Sequence, residues 1–160
     1  MALSFRLDGK PEAQPRPSFG RNRNFYNPKS SKLKQTREIL SKLVESLPGG
    51  MPVFGKRYLY VELIFHMPRP QCQLCKNGDR IVVRQSVLQT LKTMVPRKKV
   101  DADNLVKFIL DAMAGPLYAD DAQAIRLTVT KVMDNEGKCQ EHTDVKIIEI
   151  NSIDQLTSFV

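Results

Sequence analysis

Between Asp101 and Gly115 the chain carries two patterns at once. Leu105, Phe108, Ile109, Ala112 and Met113 recur at i, i+3, i+4, i+7 and i+8, which is one apolar helical stripe. Asp103, Lys107 and Asp111 recur at i, i+4 and i+8 on a face away from that stripe, and Asp101 stands just before the helix. Gly115-Pro116 ends it. A helix of this kind must bury one side in a core and leave a row of charges on the other.

The rest of the chain supplies partners for that helix. Leu3–Leu7 alternates like a strand and Asp8-Gly9 closes it. Residues 10–30 hold four prolines and read as a long loop. Ser30 or Ser31 can cap a helix that runs to about Leu47, with Leu33, Leu40, Leu43, Val44 and Leu47 on one face. Arg57–Phe65 has the β-branched and aromatic content of a buried strand, bounded by Pro68 and Pro70. Residues 69–99 read as an inserted segment with a short helix near Ser86–Met94. Ala124–Met133 and Val145–Ile150 are strands separated by a polar loop, 134–143. This order predicts an α/β (α+β) fold. It has a small mixed or antiparallel sheet of about four strands, two main helices and the 69–99 insertion, in a single domain over 1–160.

Charge is distributed unevenly. Residues 1–100 hold twenty Lys and Arg against six Asp and Glu, whereas residues 101–160 hold five against eleven. The basic part interleaves Arg16, Arg21 and Arg23 with Phe19, Phe25 and Tyr26, and places Arg97, Lys98 and Lys99 just before the acids. Cations suit phosphate contacts, and aromatics suit stacking on base faces. The same loop also reads as a solvated segment pinned by its aromatics. No apolar run reaches the roughly 18 residues that a membrane span needs. Three cysteines, an odd number, argue against a disulfide framework. The first residues lack a secretory apolar core, so an intracellular protein is expected, in the cytoplasm, nucleoid or another DNA-containing compartment.

Asp120-Asp121 stands before the Ala124 strand. If it folds back on the helix, three or four carboxylates and the Lys107 amine share a site. Carboxylates that close repel one another, and a hard divalent cation such as Mg²⁺ offsets the repulsion with oxygen ligation. Such an ion also neutralises a phosphodiester and presents a water as nucleophile. Asp residues at helix starts and turns also serve as caps, and Asp103–Lys107 also reads as a surface ion pair.

Three blocks add specificity: Asp101-Ala102-Asp103-Asn104-Leu105-Val106-Lys107, Asp111-Ala112, and Asp120-Asp121-Ala122-Gln123. Together they resemble the D-x-D-N-x-x-K, D-A and D-D-x-Q signature of the RusA-type Holliday junction resolvases, the crossover junction endodeoxyribonucleases. Gly9-Lys10-Pro11, Arg16-Pro17 and Tyr26 resemble that family's opening strand and loop. The resemblance implies catalytic and metal-binding roles for Asp101, Asp103 and Asp121, with Asp120 a further metal candidate. It implies a catalytic role for Lys107 and supporting roles for Asn104 and Asp111. It implies a homodimeric, Mg²⁺-dependent nuclease, with Mn²⁺ as a substitute, that resolves four-way DNA junctions by paired symmetric nicks in recombination and repair. Two further readings stand beside it. One is a catalytically inactive, zinc-braced DNA-binding module. The other is a metal-dependent phosphohydrolase acting on smaller phosphate esters.

Cys72 and Cys75 in the insertion, with Cys139 and His142 in the polar loop, make a C-x₂-C…C-x₂-H set suited to one structural Zn²⁺. That ion would brace the insertion to the 134–143 loop. Cysteines scattered without metal are the other reading. His66 is read as a structural residue.

Overall fold

The computed structural model describes residues 1–14, 18–19, 25–26, 30–45, 47, 49–88, 101–133 and 141–157. Its strands are β1 (Ala2–Asp8), β2 (Ser18–Phe19), β3 (Phe25–Tyr26), β4 (Leu59–Met67), β5 (Leu74–Asn77), β6 (Arg80–Val83), β7 (Ala124–Met133) and β8 (His142–Glu149). Its helices are α1 (Ser30–Glu45), α2 (Gln85–Leu88), α3 (Ala102–Met113) and α4 (Ile153–Thr157). Four strands form a mixed sheet in the order β1–β8–β4–β7, so the fold is α+β, as the element order predicts. None of the described helices is long and apolar enough to cross a membrane.

The chain divides into two compact units. The first comprises residues 1–11, 61–100 and 127–147. Its core includes Val61, Leu63, Phe65 and Met67 of β4, with Val83, Met133, Val145 and Ile147. Alternation along β4 puts Val61, Leu63 and Phe65 on one face, each fully buried. Lys146 approaches Glu62 at 3.8 Å, and the Arg6 guanidinium bonds Asp144 at 2.8 Å. Partial burial pushes the Asp144 carboxyl up, but the bond and charge of Arg6 outweigh it and hold the group below its ordinary value.

The inserted segment contains a hairpin that composition alone leaves unread. β5 and β6 pair antiparallel, with Leu74 opposite Val83 and Asn77 opposite Arg80. Gly78 supplies the left-handed backbone of the turn at φ +62°. The buried Arg69 donates to Gln73 Oε1 at 2.9 Å, and the Arg84 N–H bonds the Gln73 carbonyl at 3.0 Å. The helix expected at Ser86–Met94 begins at Gln85, and residues 89–94 lie outside the described residues.

The second unit comprises residues 12–60, 101–126 and 148–160. Helices α1 and α3 pack together. All five residues of the α3 stripe are buried, as are Leu40 and Val44 of α1. Leu33, Leu43 and Leu47 are only half-covered, and α1 ends at Glu45, before the last of them. After α3 the chain reverses sharply. Gly115, at φ +102°, bonds the Tyr118 carbonyl through its N–H at 2.8 Å. Residues 116–119 then bond the 53–55 loop, with Val53 and Phe54 donating to Pro116 and Leu117 at 3.2 and 2.8 Å. The region read as a long loop holds a short ladder: Ser18 pairs with Tyr26 and Phe19 with Phe25.

Phe108 is 2% exposed in the middle of the α3 stripe. Phe108→Ala is expected to lower the unfolding free energy by about 3–5 kcal/mol in urea denaturation. A substitution at the exposed Ile39 is expected to change it by less than about 0.5 kcal/mol.

Candidate active site

Asp101 sits at the N-cap of α3 with extended backbone (φ −68°, ψ 133°), yet its side chain makes no capping bond. Asp103 follows in the first turn and Lys107 one turn later, both exposed. No side-chain hydrogen bond or ion pair joins Asp101, Asp103, Lys107 or Asp121 to any of the described residues. Among the described residues, side-chain capping and surface pairing do not account for these four charges. The positive end of the α3 macrodipole lowers the cost of holding Asp101 and Asp103 at its N-terminus.

The other acids are engaged. Asp120 caps the 3-10 turn Asp121–Gln123, its Oδ1 accepting from the Ala122 N–H at 2.9 Å. Gln123 completes a reciprocal box and is buried. Its Oε1 accepts from the N–H groups of Ala119 and Asp120, both at 2.9 Å. Its amide nitrogen donates to the carbonyls of Gly55 at 2.9 Å and Arg57 at 2.8 Å. One side chain thus ties the Asp120-Asp121 turn to the 55–57 loop and leaves the Asp121 carboxylate outside the bonding.

Asp111 is half-buried near the end of α3. Gln14 Nε2 donates to its Oδ2 at 3.4 Å, while the Gln14 backbone N–H bonds the Asn104 carbonyl at 2.8 Å. Arg37 of α1 donates to the Asp111 carbonyl oxygen at 2.6 Å. The rise of about 1.5 Å per residue puts Asp111 about 12 Å along the helix from Asp103. The Tyr118 hydroxyl bonds the Leu110 carbonyl at 3.0 Å. Burial, then the charges of Asp121 and Asp111, push that phenol well above its ordinary value.

Asp101, Asp103 and Asp121 do not bring three ligand atoms within 4.8 Å of one another; among the described residues the group that does so is His66, His142 and Asp144. The donor set of the acids is nevertheless all carboxylate oxygen, the chemistry that a hard divalent cation takes. Gln14 adds a buried Oε1 with no partner among the described residues. Gln14 has no motif around it, and its position beside Asn104 and Asp111 follows only from the path of the chain.

His142 lies on a strand and not in the polar loop that its neighbours suggest. The expected polar loop ends earlier, because β8 begins at His142 and buries that ring. The ring stacks on His66, with centroids 3.9 Å apart. Cys72 and Cys75 are exposed, on the 71–73 turn and on β5. Cys139 lies outside the described residues, as do Arg16, Arg21, Arg23, Arg97, Lys98 and Lys99. Tyr26 is described as a β3 position only.

Carboxylates and an amine are residue types that metal-dependent phosphodiester chemistry uses. The family model Endodeoxyribonuclease RusA matches residues 8–147, and the chain belongs to that family. It is accordingly an endodeoxyribonuclease of the kind that resolves Holliday junctions and binds branched DNA, in a family of divalent-metal-dependent nucleases. Comparison with curated proteins finds no match.

Gln123→Leu removes four hydrogen bonds and leaves their backbone partners without an amide. It is expected to cost at least about 2 kcal/mol in urea denaturation and to lower cleavage, because the Asp121 turn loses its anchor.

Proposed function

We propose that the protein cuts four-way DNA junctions by paired symmetric nicks, using Mg²⁺ held by Asp101, Asp103 and Asp121. When bound, the ion supplies charge neutralisation at the phosphodiester and lowers the pKa of its water. The observation that carries this reading is the division of labour among the motif acids. The Asp120 and Asp111 side chains are engaged in bonds, while the side chains of Asp101, Asp103, Asp121 and Lys107 have no partner among the described residues.

Lys107 stabilises negative charge that develops on the attacked phosphate and helps orient the nucleophile. Asp120 and Gln123 set the position of Asp121. Asp111 and Asn104 support α3 through Gln14. Arg16, Arg21, Arg23, Arg97, Lys98 and Lys99 hold phosphates, and Tyr26 stacks on an exposed base. A homodimer fits the substrate, because a four-way junction is roughly two-fold symmetric and two sites can face opposed strands.

The test uses a labelled four-way junction, a linear duplex of the same sequence and a nucleotide monoester. Paired nicks on the junction with Mg²⁺, and none with EDTA, are expected. Asp103→Asn should bind the junction and lose cleavage, and Lys107→Ala should lower the cutting rate by about 10²-fold. Normal cutting by Asp103→Asn would remove that residue from the site. Junction binding without cleavage in either Mg²⁺ or Mn²⁺ would contradict the assignment.

The basic residues give a separate expectation. Lys98→Ala with Lys99→Ala should weaken junction binding and reduce its log–log salt slope by about 2, measured by titration over a range of salt.

A further inference from the structure

We propose that His66, His142 and Asp144 form a binding site for one transition-metal cation of the Zn²⁺ class. These residues share nothing with the acidic segment around α3. They include both histidines of the chain, brought together from β4 and β8.

The geometry is convergent. The Nε2 atoms of His66 and His142 lie 3.1 and 3.5 Å from the same oxygen, Asp144 Oδ2. One ligand atom from each residue falls in a group within 4.8 Å. Both rings are buried, at 6% and 1% exposure, and stack at 3.9 Å with planes 16° apart. The Asp144 side chain is 34% exposed, so a cation reaches the site from solvent. A groove lined by Ser4, Arg6, Glu62, Asp144 and Lys146 leaves room for water to complete the coordination.

Ligand chemistry selects the ion. Two imidazole nitrogens and one carboxylate oxygen suit Zn²⁺, Co²⁺ or Ni²⁺, whereas Mg²⁺ asks for oxygen throughout. Arg6 bonds both oxygens of Asp144, Nε to Oδ1 at 2.8 Å and Nη2 to Oδ2 at 3.4 Å, and so fixes the carboxylate beside the imidazoles. Metal-bound carboxylates are commonly held by such outer bonds. Arg6 also brings a positive charge, which moderates the affinity. Coordination requires each ring to point its Nε2 lone pair at the cation, so the near-parallel stack opens on binding. In the metal complex each Nε2 would give its lone pair to the cation, so the His66 Nε2 contact to Asp144 Oδ2 at 3.1 Å would give way to coordination.

The test is a titration of the metal-stripped full chain with Zn²⁺ alone, followed by calorimetry and by ¹⁵N spectra of the imidazoles. One equivalent is expected to bind at the histidines, apart from any uptake by the acids around α3, and to shift both imidazole spin systems. His66→Gln and Asp144→Asn should each weaken binding by about tenfold or more. The Cys72→Ser/Cys75→Ser and Asp103→Asn/Asp121→Asn double variants should bind as the parent does. Circular dichroism checks each fold, and if His66→Gln unfolds, the partly exposed Asp144→Asn and the parent's own imidazole spectra decide. Three results would overturn the site: no saturable Zn²⁺ uptake, imidazole signals that do not move, or uptake removed by either double variant and untouched by Asp144→Asn.

Discussion

Burial of Leu105, Phe108, Ile109, Ala112 and Met113 sets the rotation of α3 about its own axis. Once that stripe faces the core, Asp103 and Lys107 have nowhere to lie but the solvent side, and Asp101 stands at the mouth of the helix. Buried side chains of this size are each worth about 1.5–3 kcal/mol in transfer free energy. That is more than the few tenths that an exposed Asp–Lys pair contributes. Hydrophobic burial therefore decides the orientation, and the charges accept the position it leaves them.

The same region separates acids that hold structure from acids that remain outside the bonding. Asp120 caps a turn, and Asp111 is met by Gln14. The Gln123 amide bonds four backbone groups and so fixes where the chain passes Asp121. In the proposed mechanism this spending of neutral amides on the scaffold leaves three carboxylates for a cation and one amine for the phosphate. Membership of the RusA family and this division point the same way, toward phosphodiester cleavage in branched DNA.

Much of this was legible in the sequence. The α3 stripe, its Gly115 stop and the span of β7 follow from periodicity and backbone chemistry, which are local. The D-x-D-N-x-x-K and D-D-x-Q blocks carried the family because their combination is specific where each part is not. Tertiary packing hid the rest. The β5–β6 hairpin is short, although the Asn77-Gly78 pair is a turn signal that could have revealed it. His142 looked like loop because polar residues precede it, yet the sheet extends β8 far enough to bury it. Its contact with His66 joins positions far apart in sequence, and no spacing rule anticipates such a pair. Gln14 was invisible for the same reason.

The central claim is that Asp101, Asp103 and Asp121 gather one hard cation on the open side of α3. Crystals of the protein soaked in Mn²⁺ test it through anomalous scattering. The account predicts a peak bounded by these three carboxylates, lost in Asp103→Asn. A peak held by other residues, or no peak at the acids in the parent protein, would contradict it.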